Sequence, residues 1–183
     1  MCINRIILKT FEFKSPYLIQ KLSRVLKEIF KIEVIYKGSI PIPKNAYNAF
    51  RNQYLADTLL ESLIYFRETP NDAVLEITKE DLYAQNLNFV FGIASAYYKS
   101  AIISTKRLHN SFYNLPQNEE IYLKRVYTEA VHEMGHVLGL PHCPNPNCVM
   151  FFSNSILDTD KKGYYFCPSC KEKVKKALCH HFK

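Results

Sequence analysis

No stretch of this 183-residue chain stays apolar for more than a few residues, far short of the run of about 20 that a membrane-spanning helix needs. The opening MCINRIILKTFEF lacks the long hydrophobic segment and small-residue cleavage site of a secretory leader. There is no internal repeat, low-complexity tract or linker. Acidic residues are the scarcer charge, 17 against 24 Lys and Arg, for a net +7. That excess is spread along the chain, and only KEKVKK at 171–176 is dense, so a solvated face explains it better than a nucleic-acid patch. These absences leave a soluble, cytoplasmic protein, expected to be a monomer with neither membrane nor nucleic-acid partner.

What is present is a chain 48% hydrophobic, long enough to bury one core and most economically a single domain over 1–183. Its first half alternates β-prone runs with helical patterns, the signature of an α/β layer. INRIILKTF (3–11) and IEVIYKG (32–38) read as strands. Between them Ser15 can cap a helix with Pro16 at its first position, and Leu18, Leu22, Val25, Leu26 and Ile29 recur at helical spacing. After Pro41 and Pro43, residues 46–68 read as one long amphipathic helix. AVLEITK (73–79), FVFGIAS (89–95) and AIISTKRL (101–108) read as three further strands.

Six cysteines could mean disulfides, but four of them fall in two close pairs within the last quarter, and without an export signal that pattern points to metal. Cys143 and Cys148 form a C-x4-C, Cys167 and Cys170 a C-x2-C. Four thiolates so spaced suit a closed tetrahedral zinc, which would hold together a segment too short and polar to fold alone; the alternative is four independent thiols or a disulfide pair. Cys2, Cys179, His180 and His181 could be accessory ligands, although a terminal CHHFK is more simply a tail. His109 has no motif around it.

A helix is expected over about 119–138, starting near Asn118 with Glu119 and Glu120 in its first turn. Leu123, Val126, Tyr127, Ala130, Met134, Val137 and Leu138 share one stripe, and Arg125, Glu129, His132 and His136 the other side. His132 and His136, at i and i+4, place two imidazoles one turn apart, within reach of a single Zn²⁺, and Glu133 beside the first is placed to act as general base on water. Gly139 then suits a left-handed helix end, which would turn the chain so that His142 supplies a third nitrogen and a fourth position stays open. The plainer alternative is packing histidines near a helix end. If both metals bind, the His142–Cys143 peptide bond would couple them, the closed site fixing the backbone that aims the open site's ligand.

The run HEMGHVLGLPHCPNPNCVM, followed by SNSILDTDKKGYYFCPSC, resembles the metzincin zinc peptidases, with Met150 in the place of their methionine turn. More narrowly it resembles the archaemetzincins, which carry a cysteine directly after the third histidine and a four-cysteine zinc site. The resemblance implies a metzincin-like zincin fold: a twisted mixed sheet of about five strands, backing helices, an active-site helix as the floor of a cleft, and a small C-terminal zinc-binding subdomain (139–183) after an N-terminal one (1–138). It also implies two Zn²⁺, one catalytic and one structural, and an antiparallel edge strand, FVFGIAS, as the cleft's rim. There the small Gly92 and Ala94 would let a substrate backbone approach. The activity implied is hydrolysis of peptide bonds in a peptide substrate, tilting toward aminopeptidase-like action on short peptides. A reading of another class, a zinc-bearing binding module that uses the basic cysteine-rich end, stays open beside it.

Overall fold

The computed structural model describes residues 2–179. Five strands form the main sheet: β1 (Arg5–Phe11), β2 (Glu33–Ile40), β5 (Asp72–Thr78), β7 (Gly92–Ser95) and β8 (Ser100–Ser104), in the order β2-β1-β5-β8-β7. The first four in that order run parallel, and β7 closes the edge antiparallel to β8. The expected mixed sheet with an antiparallel edge strand is therefore present.

Every residue of the central β5 is buried, and its alternation divides the core. Ala73, Leu75 and Ile77 face a layer built by α1 (Pro16–Phe30) and α3 (Glu119–Val137). Val74 faces the other layer, where α2 (Ala56–Ser62) packs through Leu59 and Leu60. Side chains two apart share a face of a strand, so one strand serves both cores. Helix α1 starts as its sequence predicts, with Ser15 Oγ accepting from Leu18 N and Pro16 in the first turn.

The single helix expected over 46–68 is not formed. A 3-10 turn (Lys44–Ala46), a short hairpin of β3 (Tyr47–Asn48) and β4 (Gln53–Leu55), then α2 and a 3-10 turn (Leu63–Phe66) occupy that stretch. The reason is turn chemistry: Asn48 Oδ1 accepts from the Phe50 and Arg51 amides at 3.1 and 3.2 Å, and Asn52 takes a positive φ of 53°. Tyr47 and Tyr54 meet across the hairpin with ring centres 5.0 Å apart and planes tilted by 49°, and β4 pairs in parallel with β6 (Leu82–Tyr83). The apolar spacing that suggests a long helix belongs to aromatics meeting across strands.

Two boundaries also move. The strand expected at 89–95 begins at Gly92, with Val90 making a separate bridge to Leu82, and the end of the 101–108 run is a 3-10 turn, Lys106–Leu108. Beyond α3 come α4 (Ile156–Lys162) and α5 (Pro168–Ala177). Val149, Met150, Ile156, Cys170 and Val174 join the same buried cluster as α1 and α3, so the two ends of the chain share one core. No helix among the described residues is long and apolar enough to cross a membrane.

Candidate metal centre and cleft

Helix α3 is capped by Asn118, whose Oδ1 accepts from Ile121 N at 3.0 Å, and carries Glu119 and Glu120 at its positive end. It runs to Val137, within a residue of expectation. Its polar side does not face solvent: Arg125, Glu129, His132 and Glu133 are all buried, under α4 and in the cleft. At its end Gly139 has φ +86°, and a Cβ there would meet nothing within 4 Å, so its conformation and not its size requires glycine. The chain reverses there, with Gly139 N and Leu140 N donating to His136 O and Gly135 O. That reversal brings the His142 ring to 5.4 and 4.8 Å from those of His132 and His136.

Backbone carbonyls orient the first two rings. His132 Nδ1 lies 2.6 Å from Val149 O and His136 Nδ1 2.8 Å from Leu140 O. A carbonyl only accepts, so both Nδ1 atoms carry the proton and both Nε2 atoms present lone pairs. Those two Nε2 atoms face each other at 3.1 Å. Two neutral acceptors at that distance repel unless a cation lies between them. Burial, with Lys162 next, pushes His132 down to about 2, which keeps the imidazole in its ligating form. One ring nitrogen from each of His132, His136 and His142 lies within 4.8 Å of the others, and the donor set fits zinc.

Below the triad Met150 is fully buried. A Cβ on Gly135 would run into Met150 Sδ and stand 3.1 Å from its Cε and 3.3 Å from Phe166 Cε1. Gly135 is therefore what lets the methionine lie under α3. Motif reading passes over it, although a glycine inside a helix is the signal that could have found it. Gly92 and Ala94 both line the cleft on β7, but the space at Gly92 is already used. A Cβ there would meet Ile102 O at 2.7 Å and Glu133 Cγ at 3.0 Å, so its smallness makes room for Glu133 and the neighbouring strand. Burial, with Glu129 nearby, raises Glu133 well above the usual carboxylate range.

Cys143, Cys148, Cys167 and Cys170 converge, their four sulfurs within 4.8 Å of one another and Cys143 Sγ 3.9 Å from Cys167 Sγ. Tetrahedral thiolates on zinc sit about 3.8 Å apart, from a Zn–S bond of about 2.3 Å, so the quartet fits that ion too. The Cys167 thiol is lowered to about 7 by the Cys170 amide, while burial raises Cys170. The two clusters share a loop, in which Cys143 N donates to Met150 O at 2.9 Å. Cys2 and Cys179 are not accessory ligands: they form a disulfide with Cα atoms 5.0 Å apart. The Ile3–Leu178 bridge brings them together, with Cys179 N donating to Ile3 O at 2.8 Å. His180 and His181 lie outside the described residues. His109 stacks on Tyr122 with ring centres 4.0 Å apart.

The triad opens into a cleft of about 690 Å³, bounded by β7 on one side and by Phe152, Ser153 and Asn154 on the other. Two further charged groups line it, Glu129 and Lys162. Glu129 is visible in the sequence on the histidine side of the helix, without a role; Lys162 sits in an ordinary lysine-containing stretch and carries no sequence signal.

The family model of Peptidase family M54 matches residues 2–176. The archaemetzincin of Pyrococcus furiosus is 47% identical over 81% of this chain and 79% of its own length, and that of Methanocaldococcus jannaschii 43% identical over 94% and 93%. Among solved structures, the archaemetzincin of Methanopyrus kandleri superposes with a TM-score of 0.83 at 37% identity, covering 96% of this chain and 95% of that one. A zinc-dependent peptidase from Methanocorpusculum labreanum gives 0.84 at 29%, covering 92% and 99%. Matched over nearly its whole length, the chain belongs to peptidase family M54, and so to the zinc metallopeptidases.

Proposed function

We propose that His132, His136 and His142 hold the zinc of a peptidase site, that Glu133 is its general base, and that Cys143, Cys148, Cys167 and Cys170 hold a second, structural zinc. The observation that carries the first assignment is the pair of Nε2 lone pairs facing each other at 3.1 Å. Zinc, when bound, supplies Lewis acidity that polarises a scissile carbonyl and makes water nucleophilic at neutral pH. Glu133 adjoins the first ligand in sequence and lines the cleft beside Gly92. Its raised affinity for a proton suits a group that takes one from water and passes it to a leaving amine. The His132 and His136 rings are held in one tautomer by Val149 O and Leu140 O, so they need no reorganisation to ligate.

The substrate is a peptide lying along β7, whose outer edge can accept it as a further strand. The cleft volume is that of a small-ligand site, which supports aminopeptidase-like action on short peptides. The free cysteine quartet suits a cytoplasmic setting, against which the Cys2–Cys179 disulfide stands. The division of the single domain into 1–138 and 139–183 falls at the end of α3, with His132 and His136 before it and His142 and the cysteine quartet after it. The test is a peptide mixture with free and blocked N-termini, read by mass spectrometry. Wild-type protein should cleave only free N-termini, Glu133→Gln should keep zinc and lose nearly all hydrolysis, and His136→Ala should lose both. A Glu133→Gln protein with wild-type turnover would sink this assignment of the base.

A further inference from the structure

Beside the histidine triad the cleft holds a second polar cluster. Lys162, the last residue of α4, is 4% exposed, and among the described residues its ammonium has one acceptor, Phe151 O at 2.8 Å. His132 Nδ1, 3.2 Å away, is already committed as a donor to Val149 O. Glu129, one helical turn before Glu133, is 3% exposed and is held through one oxygen, Oε1, by Thr159 Oγ1 at 3.0 Å. Both line the cleft, yet among the described residues no ion pair joins them. Ser153, two residues after Phe151, lines the same cleft, and among the described residues its buried Oγ has no partner.

A buried ammonium with spare donors, an orphan hydroxyl and a carboxylate that does not close on the ammonium leave a gap shaped by hydrogen-bonding demand. Buried polar groups are costly when unpaired, so this wall favours an occupant that satisfies all of them. Lys162 presents donors and Glu129 an acceptor, of opposite formal charge, with Glu133 a further carboxylate of the same cleft. A carboxylate occupant would therefore be opposed by Glu129 and a cation by Lys162. An apolar side chain would desolvate both and pair with neither. A group with one acceptor and one donor end meets the demand: its oxygen accepts from Lys162 and Ser153, and its N–H donates to Glu129.

We propose that Lys162, Glu129 and Ser153 form a side-chain subsite for a primary carboxamide, so that the protein selects peptides with glutamine or asparagine next to the scissile bond. The assignment rests on the peptidase reading of the same cleft and adds its substrate class.

The experiment separates the two. Tetrapeptide analogues with a free N-terminus, whose first amide is reduced to CH2–NH, bind but cannot be cleaved at that bond. They are made with Gln, Leu, Glu or Lys beside that bond and titrated by calorimetry into the zinc-loaded protein. The Gln analogue should bind roughly tenfold or more tighter than the other three, because a site built for hydrogen bonds rejects a ligand that lacks them. Glu129→Gln, a change of nearly equal shape, should shift the preference toward Glu, and Lys162→Met toward Lys. Ser153→Ala, at a less buried position, should weaken Gln alone and serves if Lys162→Met does not fold. Equal binding of the Gln and Leu analogues, or a ranking unmoved by Glu129→Gln and Ser153→Ala, would overturn the proposal. Cleavage of the parent amide peptides is scored separately: selective binding without cleavage keeps the subsite and removes the peptidase assignment, whereas cleavage without selectivity does the reverse.

Discussion

Gly135 lies inside a helix, where glycine costs about 1 kcal/mol relative to alanine. Its replacement would ordinarily stabilise α3, but the added methyl would collide with Met150 Sδ. Overpacking of that kind costs about 1–3 kcal/mol, so Gly135→Ala should be neutral to destabilising in a thermal melt. It should also weaken zinc at the triad roughly tenfold or more in a competition with a chromophoric chelator, because groups that support the ligands set affinity. Gly135→Ala combined with Met150→Ala should recover part of the loss, since the two side chains contend for one space. Gly92→Ala should behave differently: its nearest obstacle is the Ile102 carbonyl, a backbone atom that cannot swing aside. Its loss should appear first in stability and in turnover through Glu133, with zinc binding less affected.

At the scale of elements, β1 and β5 are clamped where Asp72 takes a two-pronged pair from Arg5, at 2.9 and 2.8 Å, and accepts from the amides of Glu68 and Thr69. Burial alone would raise Asp72, but these donors outweigh it and hold it at about 2. A carboxylate whose pKa is depressed by folding stabilises the fold above its unfolded value, near 4, and loses that contribution as the pH falls through about 2. Acid unfolding should therefore steepen between those values, and Asp72→Asn should remove about 1–2 kcal/mol at neutral pH while flattening the acid limb of the stability curve. The strands so clamped were legible in the sequence, because β-branched runs bounded by turn residues admit few other readings. So were α1 and α3, through Ser15 with Pro16 and through Asn118 with its two glutamates. The stretch 46–68 was not, because periodicity cannot show that Asn48 and Asn52 turn the chain before a helix can propagate. The two clusters that could hold metal were legible because their spacing is local. Lys162 was not, since its place beside His132 depends on α4 folding back across α3.

Across the whole molecule, the Cys2–Cys179 bond closes a span of 177 residues and fastens the start of β1 to the residue after Leu178. A loop of that length removes up to about 5 kcal/mol of chain entropy from the unfolded state. Cys2→Ser, or reduction by a mild dithiol that leaves the cysteine quartet loaded, should accordingly lower Tm by several degrees with little change in the ligating geometry. Cys167→Ser should do the opposite in kind: it should weaken zinc at the histidine triad although it touches none of the three, because His142 and Cys143 are adjacent and Cys143 N is tied to Met150 O. A Cys167→Ser protein that retains full metal at the triad would count against this coupling.

The peptide bond between His142 and Cys143 also sets an order of events. Thiolates hold zinc more avidly than imidazoles, so the first ion a newly made chain acquires should settle among the four cysteines. Only then is the loop drawn into the shape that delivers His142 to its partners. On the two-ion reading, a half-loaded protein is a maturation state, folded but not yet competent. Under zinc scarcity the cell would accumulate it, and competence would appear only above a threshold of supply. Native mass spectrometry at substoichiometric zinc, with thiol alkylation to report which cluster is filled, should find the cysteines protected before any hydrolysis begins.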